Sequence, residues 1–146
     1  MPFHFSLQAV LHLYQSLEHQ QELRVRAANQ KVARVRHAIE QLEALKRQNR
    51  EQQSRELQTG KTGAELQFER TVESALIRHR GQLEIELVRV EQVRDEQQRN
   101  FRQARRRRET LTSLREAQFH LYQREAARRE QRQADEAFLL RRKSST

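Results

Sequence analysis

The sequence lacks cysteine and tryptophan, and has only three glycines and one proline among its 146 residues. Without cysteine there can be no disulfide framework, no thiolate metal site and no cysteine nucleophile. Sandwiches, barrels and α/β domains need frequent turns rich in glycine and proline, so the scarcity of these residues argues against such folds. Hydrophobic residues make up 35% and aromatic residues 5% of the chain, which is too little for a compact core of this length.

Long apolar runs are also missing. No stretch approaches the roughly 18 apolar residues of a membrane span. The opening Met1-Pro2-Phe3-His4-Phe5 has no basic segment followed by an apolar one, so we expect no signal peptide. The expected location is the cytoplasm.

Charged residues make up 34% of the chain, and 29 Lys+Arg against 20 Asp+Glu leave a net charge of +9. Disorder is nevertheless not expected, because the composition favours strong helix formers such as alanine, leucine, glutamate, glutamine and arginine. Most of the positive charge lies in residues 99–146, where 14 basic residues oppose 6 acidic ones and leave +8. Four of these basic residues are consecutive, at Arg105–Arg108.

Apolar residues recur at intervals of three and four, the signature of a coiled-coil seam. The first series consists of Leu7, Leu11, Tyr14, Val25, Ala28, Val32, Val35, Ile39 and Leu42. The second consists of Val72, Leu76, Leu83, Leu87, Val90, Val93, Phe101, Ala104, Leu111, Leu114, Leu121 and Tyr122. Glu18 and Gln21 interrupt the first series. The spacing predicts two long helices that pack against each other.

Only one segment looks like a turn, namely Gln58-Thr59-Gly60-Lys61-Thr62-Gly63. Glycine can end a helix in a left-handed conformation, and Thr62 followed by Glu65 fits a capping box for the next helix. The sequence therefore predicts an all-α fold, a long antiparallel two-helix coiled-coil hairpin forming a single domain over 1–146. Helix 1 is expected at about 5–58, the turn at about 58–63 and helix 2 at about 64–142.

Each helix has a set of positions that recur every seven residues. Folding the chain about this turn pairs the two sets and so gives a register for the helices. It pairs Leu42 with Leu76 and places Gln21 opposite Gln97, as a polar layer that would fix the alignment. The second helix then overhangs the first beyond about Arg115. The overhang carries apolar side chains that we expect to contact another protein: Phe119, Tyr122, Ala126, Ala127, Phe138, Leu139 and Leu140.

No constellation suggests catalysis. Gly60-Lys61-Thr62 resembles the end of a phosphate-binding loop, but Arg55 stands where that motif needs a glycine. The six histidines never occur at the i, i+4 spacing of a helical zinc site. We expect no enzyme activity, no cofactor and no metal.

Two short motifs resemble the FliJ family of flagellar type III export. One is the opening Phe3-x-Phe5-x-Leu7-Gln8-x-Val10-Leu11, followed by Leu17-Glu18. The other is Arg128-Arg129-Glu130-Gln131-x-x-x-Asp135-Glu136. The resemblance implies a coiled coil similar to the central stalk of rotary ATPases. It also implies binding to the pore of the hexameric export ATPase, to the membrane-embedded export gate and to export chaperones, at the cytoplasmic face of the cell membrane.

The resemblance and the overhang together nominate one end of the hairpin as the docking site. The opening pattern supplies Phe5, Leu7, Val10 and Leu11. The overhang supplies Phe119 and Tyr122, and the second motif supplies Arg128, Arg129, Glu130, Gln131, Asp135 and Glu136.

Two other interpretations remain open. The arginines would also suit a helical protein associated with nucleic acid or the ribosome, which predicts salt-sensitive RNA or DNA binding. Alternatively, exposed apolar rows on a hairpin could pack against a second copy as a self-associating scaffold.

Overall fold

The computed structural model describes residues 2–145 and contains two helices, α1 (Gln8–Leu57) and α2 (Gly63–Ser144). No strand occurs in that range, which confirms the all-α prediction. Neither helix contains an apolar stretch capable of spanning a membrane within the described residues.

The start of α2 is capped by Thr62, as the sequence predicts. Its Oγ1 accepts a hydrogen bond from the backbone N–H of Glu65 at 3.2 Å, which satisfies one of the free N–H groups of the first turn. The carboxylate of Glu65 lies in that first turn, and Arg141, Arg142 and Lys143 lie in the last. Both placements complement the helix dipole.

The turn between the helices depends on Gly60 and Lys61. Gly60 has a φ of 83°, in the left-handed region that side chains with a Cβ disfavour. The Lys61 side chain is only 3% exposed, and its Nζ pairs with Glu56 Oε2 at 3.2 Å and with the Glu69 carboxylate. The lysine therefore ties the last turn of α1 to the second turn of α2.

The chain divides into two compact units. We call Gln20–Phe101, which contains the turn, the turn unit. We call Met1–His19 together with Arg102–Thr146 the terminal unit. The organisation as a single domain stays a prediction.

The two helices pack antiparallel within the turn unit. Arg36 pairs with Glu91 at 3.0 Å and Glu43 with Arg80 at 2.9 Å, so later positions in α1 meet earlier positions in α2. The buried residues of this unit belong to the predicted apolar series: Ala28, Val32, Leu42 and Val90. The predicted antiparallel packing of two helices is thus confirmed.

The predicted register is wrong. The register places Arg36 opposite residue 82 and Glu43 opposite residue 75, whereas their ion-pair partners Glu91 and Arg80 lie nine and five residues further along α2. Gln21 and Gln97 also fail to form the expected hydrogen-bonded layer, since the Oε1 of each is buried without a donor among the described residues. A seven-residue pattern fits equally well after a one-heptad slip, so ion pairs and turn geometry select the alignment.

The terminal unit shows the same antiparallel order. Glu18 in α1 pairs with Arg108 in α2, and Phe3 contacts Phe119 further along α2. Leu11 is buried at 3% exposure. Every residue from 127 to 145, in the last part of α2 and just after it, is exposed.

The first helix begins at Gln8, three residues later than predicted. Residues 2–5 are neither helical nor turn, and Phe5 is buried at 3% exposure. An extended residue advances about 3.3 Å, against 1.5 Å in a helix. This short segment therefore covers more of α2 than a continued helix would, and the predicted overhang begins after Tyr122 instead of at about Arg115.

Candidate interaction surface

Three aromatic rings of the terminal unit form a cluster. The centroid of Phe3 lies 5.2 Å from that of Phe119, with the ring planes at 70°, and 5.6 Å from that of Tyr122. The first of these is the edge-to-face arrangement that aromatic pairs favour. We call Phe3, Phe119 and Tyr122 the aromatic cluster. The prediction that Phe119 and Tyr122 lie unpaired is wrong, because the N-terminal segment packs on them.

Of the four nominated residues in the opening motif, two are buried and two are exposed. Phe5 and Leu11 are 3% exposed and belong to the core of the terminal unit. Both side chains are buried in this conformation, and their assignment as docking residues stays a prediction. Leu7 and Val10 are 36% and 37% exposed, so these two remain accessible.

The second motif lies on the exposed end of α2. Its six nominated residues all point into solvent: Arg128, Arg129, Glu130, Gln131, Asp135 and Glu136. Three large apolar side chains follow them and are also exposed, at Phe138, Leu139 and Leu140. The structure thus keeps this motif accessible and places charged and apolar side chains side by side.

The four consecutive arginines have different surroundings. Arg105 Nε donates to Glu109 Oε1 at 3.0 Å, and Arg108 donates to Glu18 across the two helices. Arg106 donates only to a backbone carbonyl, that of Arg102 at 3.4 Å. Arg107 has no ion pair in the part of the chain that the structure describes. Two of the four guanidinium groups are therefore free to meet an external anion.

The ion pair between Glu18 and Arg108 shifts the ionisation of both groups. The hydrogen bonds from Arg108 hold the pKa of Glu18 below its ordinary value, although partial burial opposes the shift. The same hydrogen bonds raise the pKa of Arg108. Both side chains are charged at neutral pH, and the pair is structural, because it faces the other helix.

The turn carries a second group of coupled charges. Hydrogen bonds from Lys61 and Gln52 lower the pKa of Glu56. For Lys61, burial acts to lower the pKa, but hydrogen bonds to Glu69 and Glu56 outweigh it and the pKa is raised. No group of three or more potential metal ligands occurs among residues 2–145.

Sequence reasoning missed Phe3 and the partner of Glu18. Phe3 and Phe5 are two residues apart, which puts both side chains on one face of an extended chain, and this spacing was the available signal. A carboxylate among the apolar seam positions, as at Glu18, indicates that a basic side chain of the other helix pairs with it. The sequence alone could not show which of the four consecutive arginines this is.

Comparison with known proteins gives one informative result. The family model for the flagellar FliJ protein matches residues 3–145. No significant match was found among curated proteins or solved structures. Because the matched region covers nearly the whole chain, this protein belongs to the FliJ family of flagellar export components.

Proposed function

We propose that this FliJ-family protein acts as a stalk-like coiled coil that binds the pore of the hexameric flagellar export ATPase and couples it to the export gate. Family membership across residues 3–145 carries the proposal. The FliJ family is a non-catalytic component of flagellar export, so the role proposed is mechanical and regulatory.

The exposed end of α2 is the proposed contact with the ATPase. Residues 127–145 are all exposed, and they include Phe138 and Leu140. Exposed aromatic and aliphatic side chains beside arginine are typical of protein interfaces. Leu7, just before α1, and Val10, within α1, would extend this contact.

A continuous helix suits a coupling role. The backbone hydrogen bonds of α2 run unbroken over 82 residues, so a displacement at one position is passed along the helix. Basic side chains near its end would attract an acidic pore and raise the association rate, an effect that weakens with salt.

The test is ATP hydrolysis by the cognate export ATPase with and without this protein. We expect stimulation by the intact chain, and loss of most of it in the double variant Arg128→Glu/Arg129→Glu. The matched control is Lys31→Glu/Arg34→Glu, which reverses two exposed charges on α1 and should stimulate normally. If the intact chain does not stimulate ATP hydrolysis, the proposal is wrong. If both variants lose stimulation equally, the exposed end of α2 is not the specific contact.

Contacts with the export gate and with export chaperones belong to the same proposal, as does peripheral association with the cytoplasmic face of the membrane. They are tested by capture of the gate protein and of the chaperones from the native cell, using the full chain and the Phe138→Ala/Leu140→Ala variant. Normal capture by the variant would place those contacts elsewhere on the chain.

A further inference from the structure

A row of exposed leucines runs along α2 in the terminal unit. Leu114, Leu121 and Leu139 are 40%, 54% and 54% exposed. Leu114 and Leu121 are two helical turns apart, and Leu121 and Leu139 are five turns apart, so all three lie on one side of the helix. Apolar side chains in such a line are costly to leave in water.

The leucine row lies away from the side that α1 covers. The contacts with the N-terminal part of the chain come from Arg108, Phe119 and Tyr122. At 100° per residue, Leu114 lies about 120° around the helix from Arg108, and Leu121 about 100° from Tyr122. The leucines therefore lie outside the intramolecular interface of the terminal unit.

Arginines border this row. Arg107 lies two turns before Leu114, and Arg128 lies two turns after Leu121. A parallel line lies about 60° to one side of Leu121 and repeats every five turns, through Arg106, Arg124 and Arg142. We call these eight side chains the leucine–arginine face: Arg106, Arg107, Leu114, Leu121, Arg124, Arg128, Leu139 and Arg142.

The arginines of this face have no acidic partner in the described chain, although Arg106 donates to the Arg102 carbonyl. None of the five has an ion pair with a carboxylate among residues 2–145. The neighbouring Arg105 and Arg108, which point away from the face, are both paired. Other arginines of the terminal unit also have no ion pair among the described residues, namely Arg102, Arg115, Arg129 and Arg141. Unpaired guanidinium groups therefore occur around the helix, and five of them border the leucines.

We propose that the leucine–arginine face binds an acidic amphipathic α-helix of another protein. A row of apolar side chains on such a helix would pack on the leucines. The carboxylates that flank this row would form bidentate hydrogen bonds with the guanidinium groups of the face. The face shares Arg128, Leu139 and Arg142 with the end of α2 that is proposed to contact the ATPase. Its part at residues 106–124 lies outside that contact, so the two proposals can be tested separately.

The other anionic surfaces fit less well. A nucleic acid would meet the arginines through phosphates but leave the leucines without partners. An anionic membrane would also meet the arginines, but three leucines over 26 residues supply little apolar area for insertion between lipids.

The probe is a synthetic helical peptide with leucine in one row, glutamate on both sides of it and alanine elsewhere. Binding to the full chain is followed by fluorescence anisotropy. We expect Leu114→Ser/Leu121→Ser and Arg106→Glu/Arg124→Glu each to weaken binding by roughly tenfold or more. The control variants Leu45→Ser and Lys31→Glu/Arg34→Glu change exposed α1 positions in the turn unit and should bind normally.

A charge-swapped peptide, with lysine in place of glutamate, should bind Arg106→Glu/Arg124→Glu better than it binds the unchanged chain. All substituted side chains are exposed, and circular dichroism verifies that helicity is kept. Absence of peptide binding, or equal losses in the face and control variants, would overturn the proposal. So would binding of phosphatidylglycerol vesicles or duplex RNA that depends on these residues and exceeds peptide binding.

Discussion

The Glu18 carboxylate accepts two hydrogen bonds from the Arg108 guanidinium, from Nε at 2.6 Å and from a terminal nitrogen at 3.1 Å. Glu18 interrupts the apolar series of α1, and Arg108 belongs to the arginine run of α2. The side chains are 19% and 25% exposed, so the pair lies partly within the helix–helix interface. A seam position that appears unfavourable in sequence is thus satisfied by a charge from the other helix.

This pair should contribute measurably to stability. Hydrogen bonds to charged groups contribute about 1.5–3 kcal/mol when their removal leaves a partner unsatisfied, so we expect Glu18→Gln to lower the free energy of unfolding by about 1–2 kcal/mol. A double-mutant cycle with Arg108→Met, followed by urea denaturation, measures the coupling. Additive effects of the two substitutions would show that the pair contributes nothing.

Acid should destabilise the protein through its paired carboxylates. Hydrogen bonds from Arg108 lower the pKa of Glu18, and those from Lys61 lower the pKa of Glu56, each from an ordinary 4.5. A carboxyl group with a lowered folded-state pKa contributes stability above its unfolded pKa, and loses it as the pH falls through the folded value.

We therefore expect the thermal midpoint to fall as the pH drops below 4.5. Glu18→Gln should lose less over the same interval than the unchanged chain, because its neutral side chain does not titrate. Arg26→Gln, which removes an exposed pair with Glu22 within α1, serves as the control. Identical pH profiles for the unchanged chain and Glu18→Gln would contradict the assignment.

Gly60 and Gly81 should respond in opposite directions to alanine. Gly60 has a φ of 83°, where a Cβ costs about 1–2 kcal/mol, so Gly60→Ala should lower the melting temperature. Gly81 lies within α2, and an added Cβ there meets nothing within 4 Å. Gly81→Ala should therefore stabilise the helix by about 0.5–1 kcal/mol. Thermal denaturation of both variants, followed by circular dichroism, measures the two melting temperatures. Shifts in the same direction would contradict the prediction.

Phe3→Ala should loosen the N-terminal segment without unfolding the helices. The edge-to-face contact with Phe119 contributes about 0.5–1.5 kcal/mol beyond burial. The chain has two tyrosines and no tryptophan, so a Tyr14→Phe background leaves Tyr122 as the only tyrosine. Its fluorescence should become more sensitive to iodide quenching in Phe3→Ala, while helicity at 222 nm stays constant. Unchanged quenching would mean that Phe3 does not shield this ring.

The helices and their turn could be predicted because their determinants are local. Gly60 and Thr62 act within a few residues, and apolar spacing marks the faces that pack. The register could not be predicted, since a heptad pattern is compatible with several alignments and the ion pair between Arg36 and Glu91 helps to select one. The packing of the aromatic cluster could not be predicted, and the docking role of the nominated residues stays a prediction. Phe3 lies outside any helix and so outside any periodicity, whereas the exposed motif at Arg128 could be recognised from sequence.

The make-up of the terminal unit has a consequence for synthesis on the ribosome. Its first part is Met1–His19 and its second begins at Arg102, so Phe119 and Tyr122, whose rings contact Phe3, are translated more than a hundred positions later. At about 5–20 residues per second, the nascent segment that carries Phe3 waits several seconds or more with this ring uncovered. During that interval the emerging chain is open to chaperones that bind short aromatic segments, and the wait ends only when residues near Tyr122 leave the exit tunnel.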